Sequence, residues 1–272
     1  MTRILTMDNI ISIDEITYSE HNFPYQELLA TDYFKNYRDA YYKMPKLGLP
    51  LTPRNYFNLL LYIKEIHAYN KQHAKGFVKR LKTEYRDWKN MEAIFSELIV
   101  YRYYIRLVYE GVIKGIHKIN SECDIIIELS DGSKQYLEVF CIMPNLKTSS
   151  LREEIIVNDI KTHTHTPSAS IRQKLLNKIK RQNQFTTPRE NFAVIELNDS
   201  KIAGDFTVLS SLSDGLKCEF DKTTGRIIST GYDWSNSIFN DKSTKYLKGI
   251  IYFSLGDYQS RKIIWNPKYK NV

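Results

Sequence analysis

From about residue 31 the apolar positions of the chain fall at helical spacing. Asp32 stands where a cap belongs, just ahead of Tyr33-Phe34, and predicts a helix reaching Tyr42. Two prolines and a glycine in the stretch 44–50 break that helix, because neither residue type sustains it. Thr52-Pro53 opens a second helix, with threonine as cap and proline in the first turn. Its apolar positions are Phe57, Leu60, Leu61, Ile63 and Ile66. A third helix is expected over roughly 74–89. A long one follows over 91–111, with Met91, Ile94, Phe95, Leu98, Ile99, Ile105 and Val108 apolar and Gly111 past its end as a stop. Residues 1–30 show no strong period and predict an irregular leader with at most a short element.

The period then changes to two. Residues 123–129 and 134–142 predict strands joined by Ser130-Asp131-Gly132. The polar stretch 144–168 reads as a loop with room for a short helix at 151–160, and 170–184 as a basic helix. Strands are expected at 191–197, 246–254 and 261–265, with shorter candidates near 206–210, 217–221 and 226–230. A helical part, 1–90, and an α/β part, 91–272, are the expected domains.

Composition narrows the function classes. The 272 residues include 39 Lys plus Arg against 31 Asp plus Glu, for a net charge of +8. No apolar run approaches the ~20 residues that span a bilayer, and the N-terminus lacks a secretory pattern, so an intracellular, cytoplasmic protein with no membrane partner is expected. Cys123, Cys141 and Cys218 are too few and too scattered for a disulfide framework or a cysteine-built zinc site. Between residues 33 and 90, 13 Lys plus Arg face four acids (Asp39, Glu65, Glu84, Asp87). That excess fits either a solvated helical surface or an arm touching phosphates, with Lys79, Arg80 and Lys82 as the candidate contacts. No GxxxxGK[ST], GxSxG or GxGxxG occurs, so a P-loop, an acyl-transfer elbow and a Rossmann site lack support. His163 and His165 sit in a Thr-rich run, where solvated imidazoles are the simpler reading than a metal pair.

The hairpin carries the most specific signal. Ser130-Asp131-Gly132 suits a three-residue connection with Gly in the left-handed position. Leu129 and Ser133 then flank the turn, Glu128 opposes Lys134, Ile126 opposes Tyr136 and Asp124 opposes Glu138. One side of the hairpin is wholly apolar or thiol: Cys123, Ile125, Ile127 and Leu129 with Leu137, Val139 and Cys141. It is the expected core-facing side. Asp124 and Glu138 share the other, with Cβ atoms only ~5 Å apart. Two carboxylates so close raise each other's pKa unless a cation intervenes. A divalent ion with oxygen ligands resolves the conflict; so does plain solvation on an exposed sheet face.

The order of these features resembles the PD-(D/E)xK, restriction-endonuclease-like nucleases. The matching residues are Phe95-Ser96-Glu97-Leu98 in the long helix, Glu122-Cys123-Asp124-Ile125 on the first strand and Leu137-Glu138-Val139-Phe140 on the second, followed by the basic helix from Lys174 to Gln184. The resemblance covers residues 91–197. It implies an α/β fold, a mixed central sheet flanked by helices, with the N-terminal helices as an extension. It further implies hydrolysis of phosphodiester bonds with magnesium or manganese. Asp124, Glu138 and the Val139 carbonyl would hold the ion, with Glu97 holding a second ion or a water. The chain departs from the pattern at the motif lysine, where Phe140 stands. Lys178, or else Lys174, would supply the cation from the basic helix, with Arg181 and Gln184 on the same face toward nucleic acid. DNA is expected as partner before RNA, and homodimerisation is left open. The missing lysine supports a rival, a nuclease-fold protein that binds nucleic acid without cleaving it. A protein–protein adaptor has only the aromatic content, 20 Tyr and 12 Phe, behind it.

Overall fold

A computed structural model describes residues 13–43, 56–84, 88–117, 123–142, 172–173, 175–177, 185, 187–198 and 204–269. The chain divides into two compact units, Met1–Lys118 and Ile119–Val272. The first contains helices α1 (Ile13–His21), α2 (Gln26–Leu29), α3 (Asp32–Lys43), α4 (Tyr56–Tyr69), α5 (Lys71–Glu84) and α6 (Trp88–Tyr109), then strand β1 (Ile113–His117). The division falls later than the expected domain boundary near residue 90. The reason is packing: α6 lies against α4 and α5 and belongs to the helical unit.

Local chemistry explains the helix ends. The Asn70 carboxamide accepts from the N–H groups of Gln72 and His73 at 3.0 and 3.1 Å, so α5 starts at Lys71, earlier than its apolar spacing indicates. Helix α6 stops as predicted at Gly111. That residue has φ +70°, and Gly111 N–H and Val112 N–H bond back to Val108 and Leu107 at 3.0 and 2.9 Å. The expected irregular leader is corrected by α1 and α2. Phe23, Tyr25 and Leu28 are buried there, and the Gln26 carboxamide donates to the carbonyls of Glu20 and Phe23. Three buried anchors and a side-chain clasp order this segment without a long amphipathic repeat. The core of the unit gathers Leu59, Leu60, Ile63, Ile66, Phe77, Leu81, Ile94, Leu98 and Tyr101. Among the described residues no helix is long and apolar enough to cross a membrane.

The second unit is α/β with a mixed sheet. Its strands are β2 (Ile125–Leu129), β3 (Lys134–Ile142), β4 (Glu190–Leu197), β7 (Leu247–Ser254) and β8 (Asp257–Trp265), side by side in that order. The β3–β4 and β4–β7 pairs are parallel, whereas β2–β3 and β7–β8 are antiparallel. Strands β5 (Leu216–Phe220) and β6 (Ile227–Tyr232) form a separate hairpin with exposed Phe220 and Ile228.

Residues 205–212 are helix α7 (Asp205–Leu212), not the short strand expected near 206–210. Val208 and Leu212, one helical turn apart, enter the core together. The β-branched Thr207-Val208 pair mimicked a strand, and tertiary burial at spacing four overrode it. Asp205 fastens the helix start to the sheet, accepting from Tyr252 Oη at 3.1 Å and from Lys262 Nζ. The lysine's hydrogen bond holds the Asp205 carboxyl below the usual range.

Both faces of the sheet are covered. One face carries Leu137, Val139, Phe192, Val194 and Ile251, all buried. The other carries Phe140, Ile142, Ala193, Ile195, Ile250 and Tyr252 in one cluster with Leu175, Phe185, Val208 and Leu212. This is the pattern of central parallel strands, which are apolar on both sides. The apolar side of the hairpin is thus buried as expected, but the side bearing Glu138 is core as well.

Candidate functional site

The turn at 130–132 places the acids. Gly132 has φ +83°, Gly132 N–H donates to Leu129 at 3.0 Å, and Leu129 N–H donates to Ser133 at 2.9 Å. Asp131 accepts from the Ser133 N–H at 2.8 Å and from its hydroxyl at 2.6 Å, and these bonds hold its carboxyl below the ordinary range. The register follows: Glu128 opposes Lys134, Ile126 opposes Tyr136 and Ile125 opposes Leu137. Asp124 immediately precedes β2, and its Oδ2 accepts from the Val139 N–H at 2.9 Å. The side chain of Asp124 is therefore tied to the residue next to Glu138.

Burial separates the two acids. Glu138 is 4% exposed, whereas Asp124 is half-buried. This removes the picture of two solvated acids on an open sheet face. The neighbouring Cys123 reports on the field around them. Its thiol is pushed up to about 12, first by burial; the charges of Glu138 and Asp124 raise it further and the Arg189 guanidinium opposes them. Its Sγ–H donates to the Ile125 carbonyl at 3.4 Å.

Position 140, where the resemblance places a lysine, is filled by a core side chain. Phe140 is 2% exposed within the hydrophobic cluster. Leu175 and Leu176 pack on this same face, and nearby in sequence Arg172 donates to the carbonyls of Ser213, at 2.8 Å, and Asn236. Lys174, Lys178, Arg181 and Gln184 lie outside the described residues, as do His163 and His165 and the short helix expected at 151–160.

The structure adds a cation that the sequence reading missed. Arg189 precedes β4, and its guanidinium carbon sits 4.2 Å from the centre of the Tyr136 ring. Its Nε donates to Asn191 Oδ1 at 2.9 Å. Asn191 is itself buried, and its carboxamide donates to Thr187 and Tyr246 carbonyls at 3.0 and 3.2 Å. Tyr136 and Glu138 alternate along β3 and share a face, so Arg189 sits on the Glu138 side of the sheet. An arginine one residue before an apolar strand is too common a pattern to notice. Only the parallel β3–β4 pairing gives it meaning.

In the first unit, Glu97 is 3% exposed and receives both terminal nitrogens of Arg80, one of them at 2.7 Å. Its charge is thus neutralised by a fork-shaped bidentate bond. Arg80 is turned inward onto α6. Lys79 and Lys82, its companions in the expected phosphate-contact set, are exposed and line a cavity with Lys75. Among the described residues, no group of three or more His, Cys, Asp or Glu side chains is gathered closely enough to hold a metal by itself. No protein-family model, curated protein or solved structure matches this chain.

Proposed function

We propose that the second unit is a metal-dependent nuclease that hydrolyses phosphodiester bonds, DNA before RNA, with Asp124 and Glu138 as the carboxylates that hold magnesium or manganese. The observation that carries this reading is the hydrogen bond from the Val139 N–H to Asp124, one residue beyond the observed hairpin register, which brings the Asp124 carboxylate to the residue next to the buried Glu138. The donor set fits a hard divalent ion, which commonly takes one or two carboxylates plus waters and phosphate oxygens. When bound, such an ion lowers the pKa of a water and neutralises charge on the phosphate. The chain's own residues prepare the site. The Val139 N–H donates to the Asp124 carboxylate and fixes its direction. Burial of Glu138 holds its carboxylate in one place and makes a counter-charge there more valuable. Arg189, oriented by Tyr136 and Asn191, supplies positive charge on the Glu138 side for the scissile phosphate. Lys178 or Lys174 would add to it from the basic helix. The Val139 carbonyl would be a further ligand. A second ion at Glu97 would require that carboxylate to leave Arg80.

A second reading has one observation of its own. Phe140 packs in the core where the lysine belongs, which favours a protein that keeps the fold and binds nucleic acid without cutting it. Incubation with plasmid, single-stranded DNA and RNA, each in magnesium, manganese or EDTA, separates the two. Cleavage that needs the metal supports the nuclease. Retention of nucleic acid with no cleavage in either metal overturns it in favour of the binding protein.

A further inference from the structure

We infer that the N-terminal unit carries a binding site for a phosphate monoester with a flat apolar body, of mononucleotide size, in the cleft between Tyr25 and helix α5. The cleft has a volume of about 500 Å³, within the roughly 300–1,000 Å³ of small-molecule sites. Lys75, Lys79 and Lys82 line it at spacings of four and three, so their ammonium groups rise from one face of α5. None of the three takes part in an ion pair or side-chain hydrogen bond among the described residues. The contrast with Arg80 is direct. That residue, between Lys79 and Lys82 in sequence, is bound to Glu97, while the three lysines, with Glu27 as the one carboxylate of the lining, form no ion pair among the described residues and repel one another. A dianion placed among them relieves that repulsion, and lysines serve phosphate well as mobile point charges.

Val78 and Tyr25 give the lining its apolar part, which the lysine stems extend, and Thr83 and Glu27 complete it. The Tyr25 hydroxyl is committed to His67 Nδ1 at 2.8 Å, which fixes the ring. Glu27 contributes the one carboxylate of the lining. It repels a bare anion but accepts a hydrogen bond from a sugar hydroxyl or an amino group. Inorganic phosphate satisfies only the lysines. A nucleoside monophosphate satisfies lysines, apolar wall and Glu27 together.

Calorimetric titration of the full chain with adenosine monophosphate tests this. Binding is expected, at least about tenfold tighter than inorganic phosphate. The double variant Lys79→Gln/Lys82→Gln should weaken it at least about tenfold, as charged hydrogen bonds are lost. Lys79→Arg/Lys82→Arg should retain it. Lys71→Gln, an exposed lysine of α5 outside the cleft, should leave it unchanged. A short strand with and without a 5′-phosphate identifies the source. Tighter binding of the phosphorylated strand than of the mononucleotide points to a strand end, and the reverse order to a free nucleotide; both support the site. No binding at millimolar concentration, equal binding of inorganic phosphate, or indifference to the Lys79/Lys82 double variant overturns it.

Discussion

The acids singled out in the two units stand in different surroundings. In the first, acids meet arginines: Glu97 with Arg80, Glu65 with Arg102 and Glu20 with Arg38. In the second, Asp124 accepts from the Val139 N–H, next to the buried Glu138. A carboxylate's role is set by what the fold places opposite it, not by its own chemistry. The comparison also divides the positive charge of the helical arm. Arg80 and Arg102, with a planar fork suited to paired oxygens, are used inside the unit. Lysines 75, 79 and 82 remain at the surface, where they can meet a polyanion.

The largest effect expected is on catalysis. Glu138→Gln keeps size and removes the charge, and a metal nuclease should lose at least ~10²-fold in rate. Nucleic-acid affinity in EDTA should hold or rise, measured by filter binding beside a cleavage assay. Full-rate cleavage by the purified variant would remove the hairpin pair from the active site and leave the contrast between units without functional content.

Next comes stability. Arg80→Gln removes the bidentate partner of the buried Glu97 carboxylate and should cost about 3 kcal/mol, the low end for breaking a buried pair because the guanidinium is 38% exposed. Lys79→Gln should stay within about 0.5 kcal/mol. Urea denaturation distinguishes them. Equal, small losses would mean that Arg80 is a surface cation like its neighbours, and the division between arginine and lysine would fall.

Arg189→Ala sharpens the second half of the comparison. If Arg189 supplies charge for the phosphate, cleavage should fall about tenfold, the worth of a charged hydrogen bond, with a smaller loss in Arg189→Lys. Unchanged cleavage in Arg189→Ala would remove Arg189 from the site and turn attention to Lys174 and Lys178.

The smallest effect is a local one. Cys218 is half-exposed and should react with a thiol reagent at pH 8, whereas buried Cys123, raised to about 12, should not. A group whose folded pKa lies above its unfolded value contributes stability that is present below the unfolded pKa. For Cys123 that contribution is lost as pH rises from about 8.5 toward about 12. Mass spectrometry after labelling checks the reactivity. Rapid modification of Cys123 in the native protein would show that the hairpin entrance is not the closed, acid-lined environment described.

The sequence by itself determined whatever depends on a short stretch of chain. Gly132 and Asp131 dictate the turn, the turn dictates the count, and the count sets Glu128 against Lys134 and Ile126 against Tyr136. Gly111 likewise ends α6 through its positive φ. Segments with competing local signals were resolved only by packing, as when Val208 and Leu212 found the core and made 205–212 helical. The tertiary structure alone decided which charges are used up. Nothing in the local pattern separates Arg80 from Lys79 and Lys82, because the difference is whether Glu97, 17 residues away, faces it. Nor does any local pattern bring Arg189 to Tyr136 beside Glu138, since parallel strands pair through long connections that leave no periodic trace in the sequence. The covering of the Glu138 face was hidden for the same reason: one strand's alternation reports its own two sides, and only the neighbouring elements determine which of them meets water.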